Sequence, residues 1–278
     1  MVTLYMYCIH TYLLNCKTNS QPPGFGDFLR GTIALYYYAK ASGFQLYIDE
    51  CSHPVFRFFK SSPHFVSTVD SDMVHELICP LSFNEIDIRL QQLFAERKSF
   101  NVLTNAFYTR DLHGNPINFG LISPDCQSFM RAILQPTDEI ERLVSGTLAN
   151  LTSYRVIHLR LGDDYIKHNP CHIHEVEYLN MKITQKLGDD INRHSYVILS
   201  DSSATCVELC KRNPRLLYFD NVKTHTCSPD NIRGVRDSIV DFVIMSRASE
   251  IISCNVSSFC AIPAIIYDIP IVKWNLLD

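Results

Sequence analysis

Two kinds of apolar run alternate along this chain. Short stretches rich in β-branched and aromatic residues are followed by segments whose apolar positions recur at helical spacing. Residues 2–14 (VTLYMYCIHTYLL) form the first run and predict a buried strand. A turn-rich link, NSQPPGFGDFLRG (19–31), leads into helical periodicity from Phe28 to about Ser42, with Gly43 as a C-terminal stop. FQLYID (44–49) is again a strand, so the opening reads strand, glycine loop, helix, strand, the unit of a parallel α/β sheet. Residues 50–100 are less regular, SFNVLTNAF (99–107) predicts a strand, and 113–125 a loop rich in Gly, Pro and Asn.

A helix is predicted from Asp138, with Glu141 as a capping-box carboxylate, to about Asn150. A second alternating series then begins. Strands are predicted at 155–161, 195–201, 215–219 and 250–255, and helices at 176–187, 205–213, 237–248 and 257–266. The pattern predicts two Rossmann-like halves, residues 1–148 and 149–278. Ligands of such sheets sit at the carboxyl ends of the strands, so the residues just after each strand are where chemistry is sought.

Four polar clusters fall there. Gly24-Phe25-Gly26-Asp27 precedes the first helix. It lacks the Gly-Lys-Ser/Thr of a phosphate-binding P-loop and the third glycine of a dinucleotide fingerprint, so it is either a ligand-approach loop or a tight turn. His158-Leu159-Arg160-Leu161-Gly162-Asp163-Asp164 ends a strongly apolar strand. A buried His and Arg need partners. An anion would supply one, since a guanidinium fork matches phosphate oxygens. An Arg160–Asp163 turn closure is the plain alternative. Ser200-Asp201-Ser202 offers hydroxyls and a carboxylate suited to a ribose or base edge, or else a helix cap. Asn255-Val256-Ser257-Ser258-Phe259, where strand passes into helix, makes an anion nest or a simple cap.

Read together, these residues resemble a known family. VIHLRLGDDY is similar to the His-x-Arg-x-Gly-Asp signature of the GT-B fucosyltransferases, among them the α1,2-, α1,6- and protein O-fucosyltransferases. Four fixed residues at average frequencies arise by chance in roughly one such chain in a thousand. GFGDFLRG resembles the family's N-terminal Gly-x-Gly-Asn/Asp loop. HIHEVEYL (172–179) is similar to its His-Pro-x-Glu-x-Tyr segment, and DFVIMSRASEIISCNVSSFCA to its C-terminal phosphate motif. The resemblance implies an α/β GT-B fold, two Rossmann-like domains facing a central cleft, with the acceptor on the N-terminal side and the nucleotide-sugar donor on the C-terminal side. It implies that Arg160 binds the donor β-phosphate, that Ser257, Ser258 and Phe259 support the same phosphates, that Asp201 with Ser202 lies near the nucleoside, and that Gly26 and Asp27 line the cleft. His158 would orient its neighbours, and Asp27, Asp163 or Asp164 would take the acceptor proton. The implied activity is an inverting transfer of a sugar from a nucleotide sugar to a glycan hydroxyl. Leu161 stands where the family often has a second Arg, so the donor is GDP-fucose or another sugar nucleotide such as UDP-xylose.

Composition narrows the partners. A net charge of −4 from 25 basic and 29 acidic residues gives no polybasic surface for nucleic acid or membrane. The apolar N-terminal run has no basic n-region and is shorter than a membrane span of ~20 residues. Eleven cysteines, with no C-x2-C spacing, predict reduced thiols in a soluble, cytoplasmic protein rather than a disulfide framework or zinc site. No cofactor or metal is expected: a fixed guanidinium and helix-end amides stabilise a departing diphosphate. Asp70-Ser71-Asp72 matches a metal-binding D-x-D, a common pair in polar loops. The alternative from another class is a non-catalytic sugar- or nucleotide-binding protein with the same fold, separated from a transferase by turnover.

Overall fold

In the computed structural model, which describes residues 6–12, 24–69, 74–76, 83–104, 120–228, 230–255 and 257–276, the alternating pattern becomes two parallel sheets. The first unit, Met1–Gln135, runs β1 (Tyr7–Thr11), α1 (Phe25–Ser42), β2 (Gln45–Asp49), β3 (Phe65–Val66), β4 (Val74–Glu76), α2 (Phe83–Ala95), β5 (Phe100–Leu103) and α3 (Pro124–Ile133). Its sheet has the order β3-β2-β1-β5-β4, all strands parallel, with β1 at the centre between Ile48 of β2 and Val102 of β5 at the level of His10.

Helix α1 starts at Phe25, three residues before the periodicity indicated. Gly24 is its extended N-cap, so Gly26 and Asp27 lie in the first helical turn rather than in a loop. Phe25 is fully buried and stacks on Phe59 at 5.9 Å, and burial of such a ring contributes roughly 2–3 kcal/mol. Gly43 stops the helix at φ 75°, a left-handed conformation that glycine adopts without strain. Helix α3 occupies part of the predicted 113–125 loop and continues beyond it. Ser123 accepts from the Cys126 amide, with Pro124 at the first helical position, a start signal masked by the polar stretch before it.

The second unit, Pro136–Asp278, contains α4 (Asp138–Thr147), β6 (Arg155–Leu159), α5 (Asp163–His168), α6 (Ile173–Leu187), β7 (Tyr196–Ser200), α7 (Ser203–Arg212), β8 (Leu216–Leu217), α8 (Ile232–Met245), β9 (Glu250–Ser253), α9 (Ser258–Tyr267) and β10 (Ile271–Lys273). The parallel order β10-β9-β6-β7-β8 winds outward from β6 in both directions. The topological switch therefore lies between β6 and β9, the crevice where doubly wound sheets bind ligands. The division after Gln135 corrects the expected boundary at 148. Helix α4 packs on α8, where Arg247 reaches Glu141 at 2.7 Å and Arg236 approaches Glu139 at 3.7 Å, so it belongs to the second core.

Strand alternation sorts the faces of β6. Ile157 and Leu159 point into a cluster with Val176, Leu179 and Ile183 of α6 and Leu209 of α7. His158 points the other way, its ring 6.2 Å from Phe259 of α9. No described helix is long and apolar enough to cross a membrane.

Candidate functional site

Three loops meet at the carboxyl ends of β6, β7 and β9. Strand β6 ends at Leu159, and the chain turns through Arg160, Leu161 and Gly162 into α5. Gly162 adopts φ 128°, which side-chain-bearing residues rarely do. This conformation turns successive amides toward Asp201, just past β7. The Asp201 carboxylate accepts from the amides of Leu161 and Gly162, each at 2.9 Å, and from the Arg160 guanidinium at 2.5 Å. Asp201 is 8% exposed at its side chain and Arg160 30%, so the carboxylate is the inner member and the guanidinium faces outward. Asp201 is thus a partner of Arg160. Asp163 opens α5, and its side chain lies outside the described residues, as do that of Asp164 and the whole Asp70-Ser71-Asp72 motif.

The third loop is tied to the first. The Asn255 side-chain amide donates to the Arg160 carbonyl, and Cys254 donates its amide to the His158 carbonyl at 3.0 Å. Asn255 Oδ1 and His158 Nδ1 are buried with no hydrogen-bond partner among the described residues. Ser257 is the extended N-cap of α9 and makes no side-chain capping bond. The first turn of that helix, with Ser258 and Phe259, therefore opens on the same sheet end as Arg160, with its N–H groups directed out of the helix.

Ser202 corrects an expectation. It is fully buried, and its hydroxyl accepts from the Thr205 amide at 3.1 Å to cap α7, so it has no surface to offer a nucleoside. Gly26 and Asp27 belong to the first unit, on α1. Arg160, Asp201, Asn255 and Ser257 come together in the second.

Sequence reasoning missed a buried ion pair in this unit. Lys223 Nζ lies 2.6 Å from Asp241 Oδ2 on α8, with the side chains 8% and 7% exposed, and Asn221 donates to the other oxygen at 2.7 Å. Burial pulls the Lys223 ammonium down, but the charge and hydrogen bond of Asp241 outweigh it and hold its pKa above the usual value. The legible signal was two carboxylates, Asp237 and Asp241, one helical turn apart in an apolar run. His158 is pushed down to about 4 by burial, with Arg160 and Lys223 adding to the effect and Asp201 opposing it, so the ring is neutral near pH 7. Cys254 is pushed up to about 12 by burial, and its thiol stays protonated. Among the described residues no three His, Cys, Asp or Glu side chains gather as a metal site.

No protein-family model matches the chain, and no curated protein sequence matches it. Solved structures do. NodZ α-1,6-fucosyltransferase co-crystallized with GDP is 15% identical, with a TM-score of 0.59 over 96% of this chain and 94% of that one. Fucosyltransferase NodZ from Bradyrhizobium gives 14% and 0.60 over the same shares. POFUT1 in complex with GDP-fucose gives 12% and 0.56 over 98% of this chain and 99% of that one. The chain has the fold of these fucosyltransferases. In this chain the loops around Arg160 lie at the switch point of the second sheet.

Proposed function

We propose that the protein is an inverting, metal-independent glycosyltransferase of GT-B architecture that moves a sugar from a nucleotide sugar to a glycan hydroxyl. One observation carries the reading: a guanidinium locked by an inner carboxylate at the switch point of a doubly wound sheet, beside the start of α9, where Ser257 makes no side-chain capping bond. Glycosyl transfer builds negative charge on the departing diphosphate. Arg160 and the first amides of α9, with Ser257 and Ser258, meet that charge without reorganising, because Asp201 and Asn255 already fix the loop. Phe259 and the neutral His158 wall the site. Asp201 acts here by holding Arg160 and the turn, and Ser202 by capping α7.

The first unit, with Gly26 and Asp27, meets the acceptor. The attacking hydroxyl needs a proton acceptor, for which the sequence offers Asp27, Asp163 and Asp164. The donor is GDP-fucose or, with Leu161 in place of a second cation, a UDP-pentose. A soluble, cytoplasmic protein with reduced thiols belongs to the same reading and is supported by the buried thiols Cys254 and Cys260 flanking the α9 turn.

The test is a donor screen with GDP-fucose, UDP-xylose and other nucleotide sugars, read by nucleotide release with and without EDTA. Release in the presence of chelator is expected. Strict loss in EDTA refutes the metal-free mechanism, and tight nucleotide binding with no turnover gives the binding protein instead.

A further inference from the structure

The helix that follows the Arg160 loop carries a tyrosine that holds an exposed carboxylate. Tyr165, in the first turn of α5, donates its phenol O–H to the carboxylate of Glu175 in the first turn of α6. Helix α5 is tied to the Arg160 corner at both ends. The Tyr165 amide donates to the Gly162 carbonyl at 3.1 Å, and the amide of that same glycine donates to Asp201. At the far end of α5, Asn169 Oδ1 accepts from the Ser202 hydroxyl at 3.2 Å and from the Ala204 amide at 3.1 Å, next to Asp201 in the chain. Helix α6 is anchored by Val176 and Leu179 in the core. Glu175 itself is exposed, so it faces whatever enters from solvent.

We propose that Glu175 is the base that removes the proton from the attacking hydroxyl and that Tyr165 is the positioning residue that aims it. The proposal rests on the transferase reading and gives Glu175 the role the sequence offered to Asp27, Asp163 or Asp164. In the step, the acceptor oxygen bonds to the anomeric carbon as its proton passes to Glu175. The bond from that carbon to the diphosphate oxygen breaks, and the electron pair leaves with the nucleotide. Burial first, then the hydrogen bond to Glu175 and the charges of Glu175 and Asp201, push the Tyr165 phenol up to about 12. It therefore remains a donor throughout the working range, and its bond orients the carboxylate without competing for the proton.

The test uses the full chain with whichever of GDP-fucose and UDP-xylose it hydrolyses. Water is one nucleophile, which must lose a proton. Azide is the other, which has none to lose. For Glu175→Gln, hydrolytic nucleotide release should fall by about 100-fold or more, the usual weight of a general base. Azide-dependent release should stay close to wild type, with GDP affinity by calorimetry unchanged. Tyr165→Phe should lower kcat for hydrolysis at unchanged donor KM. Hydrolysis at the wild-type rate in Glu175→Gln overturns the assignment. So does equal loss of the water and azide reactions with GDP binding intact, which would mark Glu175 as structural. A wild-type protein that turns over neither donor with either nucleophile takes down the transferase reading and this proposal together.

Discussion

Replacing Asp201 by Asn tests whether the loop after β6 is held as described. The side chain is 8% exposed and takes three close donors, the Leu161 and Gly162 amides and the Arg160 guanidinium. Asn keeps the shape but removes the charge and turns one oxygen into an N–H group that must face a donor. A hydrogen bond to a charged group contributes roughly 1.5–3 kcal/mol, and two are lost or weakened. Arg160 is 30% exposed, so water recovers part of the guanidinium's loss. The net cost is about 3 kcal/mol. At about 2–4 °C per kcal/mol for a domain of this size, the midpoint of thermal unfolding should drop by about 6–12 °C. Calorimetry at pH 7 measures this directly, and titration with GDP should show weakened binding in the same variant. A midpoint within about 2 °C of wild type, with unchanged GDP affinity, would refute the buttress.

Other consequences follow from single residues. Gly162→Ala should destabilise by about 1–3 kcal/mol through strain, since φ is 128° and no atom of the described residues lies within 4 Å of an added Cβ. Gly146→Ala, in α4 with equal space and no positive φ, should instead stabilise by about 0.5–1 kcal/mol, and chemical denaturation compares the two. Burial lowers His158 from 6.5 to about 4, so the unfolded chain binds a proton there before the native one does. The stability from this neutral ring is complete above pH 6.5 and is lost as pH falls through about 4. His158→Gln should show a flatter stability–pH curve in that window. An unchanged slope would contradict neutral burial.

How much of this was legible depended on how local the signal was. The end of β6 could be read because an apolar strand stops at Arg160 and Gly162, and the sheet order then placed that end at a switch point. Strand β3, two residues long, is too short for any period to register, whereas the equally short β8 lies inside the apolar run 215–219 that was read as a strand. Helix α1 was read as starting late because Gly24 and Gly26 argue for a loop, whereas burial of Phe25 pulls that turn into the helix. Asp201, which meets Arg160, is 41 positions away, and Lys223 meets Asp241 from an irregular segment. Such pairings follow from tertiary packing and leave no periodic trace. Ser202 shows the converse: a Ser at a strand end suits a ligand or a helix cap equally by sequence, and only its burial decides.

The central claim is that the switch-point crevice of the second sheet binds a nucleoside diphosphate through Arg160. Calorimetric titration of GDP and of UDP into the wild type and Arg160→Ala, with thermal unfolding to confirm that the variant is folded, tests it most directly. At least one nucleotide should bind the wild type, and the variant should lose about 30-fold or more in affinity, as truncation of a paired charge contact does. Equal affinity in the folded variant, or no binding of either nucleotide to the wild type, would contradict the account.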